Sequence, residues 1–404
     1  MKKKLAAACL LLSVLAGAAG CGSSTQVDDL VTNEGYEEEL GQVSAEDETL
    51  SERTETKAGT KVIAKEDLKI GVLYIGSKED SSGYTYAHEL GISTMAGNLG
   101  LEEDQILRKE ELDDSKPAEI TQALQECVDA GCNIIFGTSF GFMEAMEQFA
   151  EQYPDIYFAH GSGYLSNGKN FTNYFGRIYQ ARYLSGIAAG LKTQSGKIGY
   201  VAAQNQDNAE VTGGIDAFAM GVESVNPEAK VYVKVTNSWF DPEAEEAAAQ
   251  ALLAEGCDVL AQHCDTTKPQ KAAQEKGVWG IGYNSDMSKE SPQATLTSVL
   301  WNWSAYYTAY IQSILDGSYD GEDYYGGMEE GLLQLSDLAD FNQEEAFAKI
   351  QEAEQKILKG ELQVFEGVME TNDGRKIGIQ GQTLADDVIT GEIDWYYKNV
   401  VVLE

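Results

Sequence analysis

Histidine, basic charge and paired cysteines are what this sequence has least of. It has three histidines in 404 residues, with no HExxH and no clustered histidines. That leaves no nucleophile-and-base constellation of the kind a hydrolase needs. Lysine and arginine number 29 against 66 acidic residues, a formal charge of −37. Without the three lysines at the start the balance is 26 against 66, or −40. Nucleic acid is excluded as a partner on that ground, because phosphate binding needs a basic face. Of six cysteines, Cys9 and Cys21 lie near the amino terminus. The other four, Cys127, Cys132, Cys257 and Cys264, show no CxxC spacing, which argues against a zinc site. Outside the cytoplasm they can pair as disulfides, or they can serve as small core residues. No cofactor is expected. Past the amino terminus no segment is apolar enough to span a bilayer, so the body reads as soluble.

What is there begins with an export signal. Lys2, Lys3 and Lys4 precede the apolar Leu5 to Leu15, which is too short for a stable span. Small residues then lead to Cys21 and the polar Gly22-Ser23-Ser24. The arrangement looks like a bacterial lipoprotein signal, residues 1–20, with Cys21 the lipidated first residue of the mature chain. Ala18 stands where such signals usually carry leucine, and cleavage after it would release an unanchored protein instead. From residue 21 to 67 the chain is acidic and poor in large apolar residues, as in Tyr36-Glu37-Glu38-Glu39. Such a stretch buries too little surface to offset its ordering entropy and is expected to be a flexible tether. Lipid, tether and body together describe a protein held on the extracytoplasmic face of a cell membrane.

The body, 68–404, repeats itself. Leu68 to Gly76 parallels Gly196 to Gln204, and Asp129 to Phe136 parallels Ala254 to Ala261. A duplication of this size means two equivalent lobes, one roughly 68–176 plus a later crossing segment and one roughly 190–300. Each alternates short apolar strands with helical patterns: a strand at Ile70, a helix near Tyr86 to Leu99, a strand at Ile106 to Lys109. A helix at Pro117 to Ala130, a strand at Asn133 to Gly137 and a helix at Phe142 to Gln152 follow. That pattern predicts an α/β fold with a mostly parallel sheet in each lobe. Right-handed crossovers put every strand's carboxyl end on one side, so the lobes face each other across a cleft lined by strand-end loops.

Those loops hold the unusual residues. They are Asp80 to His88, Gly137 to Phe142, Gln204 to Asn208, Asn237-Ser238-Trp239-Phe240-Asp241-Pro242, Gln262 to Asp265, Tyr283 to Asp286 and Trp301-Asn302-Trp303. Aromatics interleaved with amides and acids suit a flat, polar-edged ligand, since rings stack on its faces while amides and carboxylates read its edge.

Leu68 to Val401 resembles the basic membrane protein family of ABC-transporter substrate-binding lipoproteins, which have the type I periplasmic-binding-protein fold. The motifs that carry the resemblance are Gly83 to His88, Tyr174 to Tyr183, Asn237 to Pro242, Gly282 to Met287, Trp301 to Trp303 and Trp395-Tyr396. The resemblance implies a purine base or nucleoside ligand, capture by lobe closure, delivery to an ABC-transporter permease, and no catalysis. It implies a base sandwiched between Tyr84 and Trp239; Tyr84 stands where the nearest branch usually has tryptophan. Nucleoside-binding members carry a sugar-holding lysine after their Leu-Thr-Ser stretch, and here Trp301 occupies that place. A bulky indole there favours a smaller ligand without ribose, such as adenine.

The candidate ligand-binding residues are therefore Tyr84, Trp239, Asn284, Asp286, Trp301, Asn302, Ser139, Phe140 and Phe175. The plainer alternatives are an Asx turn for Asn284 and Asp286 and a hinge role for Trp301 and Asn302. Phe240 is expected to pack, Arg177 to form a structural ion pair and His88 to be buried and hydrogen-bonded. His263 with Asp265 is too small a set for a metal. The protein is expected to act as a monomer. A ligand-sensing surface receptor would use the same cleft, and an exported purine hydrolase would need the catalytic groups that are missing.

Overall fold

Apolar strands, most followed by a helix and the central ones buried on both faces, build the two expected sheets. The computed structural model describes residues 54–342 and 344–404. The signal segment, Cys21 and the tether as far as residue 53 lie outside them. In the first lobe come β1 (Ile70–Leu73), α1 (Gly83–Leu99), β2 (Ile106–Lys109), α2 (Pro117–Asp129), β3 (Ile134–Gly137), α3 (Met143–Gln152), β4 (Tyr157–Gly161) and β5 (Phe171–Gly176). The chain then crosses and builds α4 (Tyr179–Lys192), β6 (Lys197–Ala202), α5 (Ala209–Val225), β7 (Lys230–Val235), α6 (Pro242–Ala254), β8 (Val259–His263), α7 (Lys268–Lys276), β9 (Trp279–Tyr283) and β10 (Thr295–Trp301).

A second crossing at Asn302 returns it to the first lobe as α8 (Trp303–Leu315) and β11 (Tyr324–Gly326), and a third leads to β12 (Leu333–Leu335) and α9 (Glu344–Leu358). The remainder forms a small hairpin, β13 (Met369–Glu370) and β14 (Lys376–Ile377), then α10 (Asp386–Gly391) and β15 (Val400–Val402). The first sheet runs β11-β5-β4-β3-β1-β2, with every pair parallel. The second runs β12-β10-β9-β8-β6-β7-β15, with only β12 antiparallel.

Two expected boundaries need correction. The second lobe begins before residue 190, because α4 already packs on α5. Gly186 and Gly221 allow that approach: a Cβ on Gly221 would lie 2.0 Å from the Tyr183 carbonyl oxygen. The ordered body also begins before residue 68. Thr56, Thr60 and Ile63 are buried, and the amides of Lys57 and Ala58 donate to the carbonyls of Gly317 and Tyr319. Acidic composition marks the tether, but these few short side chains find partners on a distant loop that local sequence does not reveal.

Cys127, Cys132, Cys257 and Cys264 are free and buried, as small core residues. Among the described residues no helix is long and apolar enough to cross a membrane, and no group of three or more metal-ligating side chains is present.

Candidate functional site

The parallel strands direct their carboxyl ends to a cavity of about 800 Å³ between the lobes. That lies within the range of small-molecule sites, and strand ends of open α/β sheets are where such sites form. The first lobe supplies Ile75 and Tyr84 after β1, Asp114, and Thr138, Ser139 and Phe140 after β3; Phe175 comes from the end of β5. The second supplies Asp207, Asn208 and Glu210 around the start of α5, Trp239 after β7, Asp265 after β8 and Tyr283 at the end of β9. The tail adds Thr390 and Gly391.

Tyr84 and Trp239 thus reach one cavity from opposite lobes. The Tyr84 hydroxyl donates to the Thr138 carbonyl at 2.6 Å, and its ring stands edge-on to His88. Trp239 owes its place to the turn before it. Asn237 takes φ 56°, a left-handed conformation that asparagine tolerates better than most residues. Asp241 then caps α6 by accepting from the amides of Glu243 and Ala244. Between them the Trp239 carbonyl accepts from the Asp265 amide at 3.0 Å, tying the β7 and β8 loops together. Phe240 does not pack; it is 68 % exposed, because the cap turns its ring outward.

Other expected contacts are not in the cavity lining. Asn284 is buried with φ 63°, and its amide donates to the Asp265 carboxylate at 2.8 Å, so it orients a lining residue. Asp286 accepts from the Ser288 amide in an Asx turn. Asn302 is engaged at the second crossing, donating to the Gly331 carbonyl and accepting from Ser304. Trp301 is 4 % exposed and sits behind the wall: its ring lies 4.5 Å from that of Trp303, and its indole N–H donates to Tyr283. Phe175, which does line the cavity, rests against it with ring centroids 5.0 Å apart. Ser139 and Phe140 line the cavity, Ser139 with its hydroxyl on Asp114.

Trp301 and Trp303 belong to a longer aromatic run. His88 stacks on Trp303 at 4.5 Å, and Tyr283 meets His263 edge-on at 4.8 Å. His263 in turn meets Trp239 at 5.7 Å. Ring contacts, joined at one step by the hydrogen bond from the Trp301 indole to Tyr283, therefore lead from Tyr84 through the second crossing to Trp239.

The carboxylates were the residues sequence reasoning missed. Burial pushes the Asp265 carboxyl up to about 8, with the nearby Glu245 charge adding to it. Burial likewise raises Glu210 to about 7. His263, fully buried, lies 3.4 Å from Glu210 and is held well below the usual histidine range by loss of solvent. Asp265 had been singled out only beside His263, and Glu210 carried no signal because its direction depends on how α5 docks. Arg177 forms the expected ion pair, with Asp386 at 2.8 Å, and His88 is buried and bonded to the Tyr307 hydroxyl.

Two parallel-sheet lobes, three crossings and a lined cleft define a solute-binding protein of the type I periplasmic-binding-protein fold. Residues 68–366 match the family described as Bmp, ABC transporter substrate-binding protein PnrA-like. The chain is 33 % identical to a purine-binding protein of Brucella abortus over 83 % of its length and 94 % of the relative's. It is 34 % identical to a Haloferax volcanii protein named for ABC-transporter glucose binding, over 77 % and 78 % of the two chains. A solved ABC-transporter solute-binding protein from Conexibacter woesei superposes with a TM-score of 0.61 at 18 % identity, covering 73 % of this chain and 98 % of that one, and shows the fold alone. The chain belongs to the Bmp family. It is a substrate-binding protein of ABC transporters and not an enzyme.

Proposed function

We propose that this protein, anchored through lipid on Cys21 to the extracytoplasmic face of the cell membrane, captures a purine and delivers it as a monomer to an ABC permease. A free base such as adenine is the preferred ligand and a nucleoside the next. The observation that carries the reading is that Tyr84 and Trp239, from opposite lobes, share one cavity with the acceptors Asp265 and Glu210. Rings on two lobes can sandwich a planar base only when the lobes close, and a carboxyl group between them accepts through its carbonyl oxygen from a ring N–H or an exocyclic amine. The purine-binding Brucella relative supports the same reading. Trp301 acts indirectly in it, by backing the lining residue Phe175.

A thermal-shift panel of adenine, guanine, adenosine, guanosine and glucose on the body from residue 54 tests this. Adenine is expected to raise the midpoint most. If nucleosides shift it and free bases do not, the preference for a base fails; if glucose alone does, the purine reading fails. Trp239→Ala is expected to weaken binding by about 1–3 kcal/mol, the scale of one lost base–aromatic stack. Titration calorimetry reads that loss, and an unchanged affinity removes Trp239 from the site.

A further inference from the structure

The lining of the cleft has a charge of one sign. Asp114, Asp207, Glu210 and Asp265 border the main cavity, and among the described residues no lysine, arginine or histidine does. The adjoining chamber of about 610 Å³ shares Phe140, Phe175 and Glu210 with it. That chamber adds Asp323, Asp386 and Asp387, again without a basic residue in its wall. Among the described residues Arg177 and Arg182 stand nearby, and each is engaged by groups of the protein. Arg177 is bound to Asp386. Arg182 is wholly buried, with one N–H on the Gln262 carbonyl and its plane 4.2 Å from the Tyr283 ring centre.

Helix amino termini would otherwise attract an anion, since their free N–H groups and dipole favour negative charge. At α5 and α6 that role is filled from within the chain, whereas α1, which carries Tyr84, has neither a side-chain cap nor an acid in its first turn. Asn208 caps α5 by accepting from the Val211 amide, and Glu210 occupies the first turn. Asp241 caps α6 in the same way.

We infer that the cleft is a charge filter: it admits a heterocycle that is neutral or cationic and refuses the same compound once it carries a phosphate. The inference rests on the purine reading for the identity of the ring but on the lining alone for the charge. A phosphate dianion brought into this cavity meets the Asp114 and Asp207 carboxylates, beside the buried acids Glu210 and Asp265, and no cation to pair with, and negative charge set against negative charge without compensation weakens binding steeply. The protein therefore stands downstream of a phosphomonoester hydrolysis, the class of reaction that turns an extracellular nucleotide into a ligand this cleft accepts.

The test compares matched pairs by titration calorimetry, in EDTA so that no divalent ion bridges phosphate to carboxylate. Adenosine is set against adenosine 5′-monophosphate, and glucose against glucose 6-phosphate. Adenosine 5′-sulfamate, neutral but close to the monophosphate in bulk, is the steric control. The phosphate member of whichever pair binds is expected to be roughly a hundredfold weaker or worse than its neutral partner. The sulfamate is expected to bind within about tenfold of adenosine, and raising the salt is expected to narrow the phosphate penalty.

Equal rejection of sulfamate and phosphate overturns the inference in favour of size, and a phosphate ester binding as well as its neutral partner overturns it outright. Binding of glucose but not adenosine would fail the purine reading and leave the charge comparison to be read from the sugar pair. Asp114→Asn with Asp207→Asn, at two lining positions, is expected to relieve the phosphate penalty severalfold. No relief in that variant counts against the filter.

Discussion

At the scale of single residues the informative groups are Asp265 and Glu210. Each is a carboxyl whose pKa in the folded protein is raised by burial, to about 8 and about 7, from ordinary values of 3.8 and 4.5. The native state therefore holds protons that the unfolded chain releases. Their favourable contribution is complete below about pH 4 and is lost as pH rises toward 8. Buried His263 acts in the opposite sense, because its folded pKa is lowered and charging it costs stability at acid pH. The two effects separate by difference. The melting temperature of the ligand-free protein minus that of Asp265→Asn is expected to fall between pH 5 and pH 8. A flat difference would show that the Asp265 carboxyl is not held protonated in the native cleft.

Among elements, the α4–α5 pair shows how much the second lobe depends on two missing side chains. A Cβ on Gly186 would lie 2.2 Å from the Phe218 carbonyl oxygen, as one on Gly221 would crowd Tyr183. Neither obstacle is a movable side chain, so Gly221→Ala has to push the helices apart. Overpacking of this kind costs about 1–3 kcal/mol, to be read from urea unfolding. Gly97, exposed on α1 with nothing within 4 Å of an added Cβ, is the control. There alanine is expected to stabilise by about 0.5–1 kcal/mol through helix propensity. Equal effects at the two sites would remove close helix packing as the reason for Gly221.

For the whole molecule, the three crossings and the aromatic run through the second of them, with its one hydrogen-bonded step from Trp301 to Tyr283, tie the lobes together. A ligand held by Tyr84 on one side and Trp239 on the other is expected to draw the lobes together. Small-angle scattering should then show a smaller radius of gyration with saturating adenine, together with a change in tryptophan emission, since Trp239, Trp301 and Trp303 all lie along the run. Bound ligand with an unchanged radius would mean that the cleft is already closed or does not close.

The sequence by itself determined the two-lobed α/β architecture. Apolar runs of strand length, helical periodicity and an internal duplication are local patterns, and burial on both faces of the central strands leaves them few other solutions. It also determined that Trp239 stands at a strand end facing the cleft, because the strand at Val231, the turn at Asn237 and the cap at Asp241 are all readable in order. Only the tertiary structure decided which neighbours share the cavity. Trp301 and Asn284 were legible as unusual residues in the right loops, yet a one-residue difference along a strand end sends a side chain into the wall rather than the opening. Glu210 and Asp265 reach the cavity because α5 and the β8 loop dock as they do. Their raised pKa values come from solvent excluded by residues far away in the chain, and no stretch of sequence carries that information.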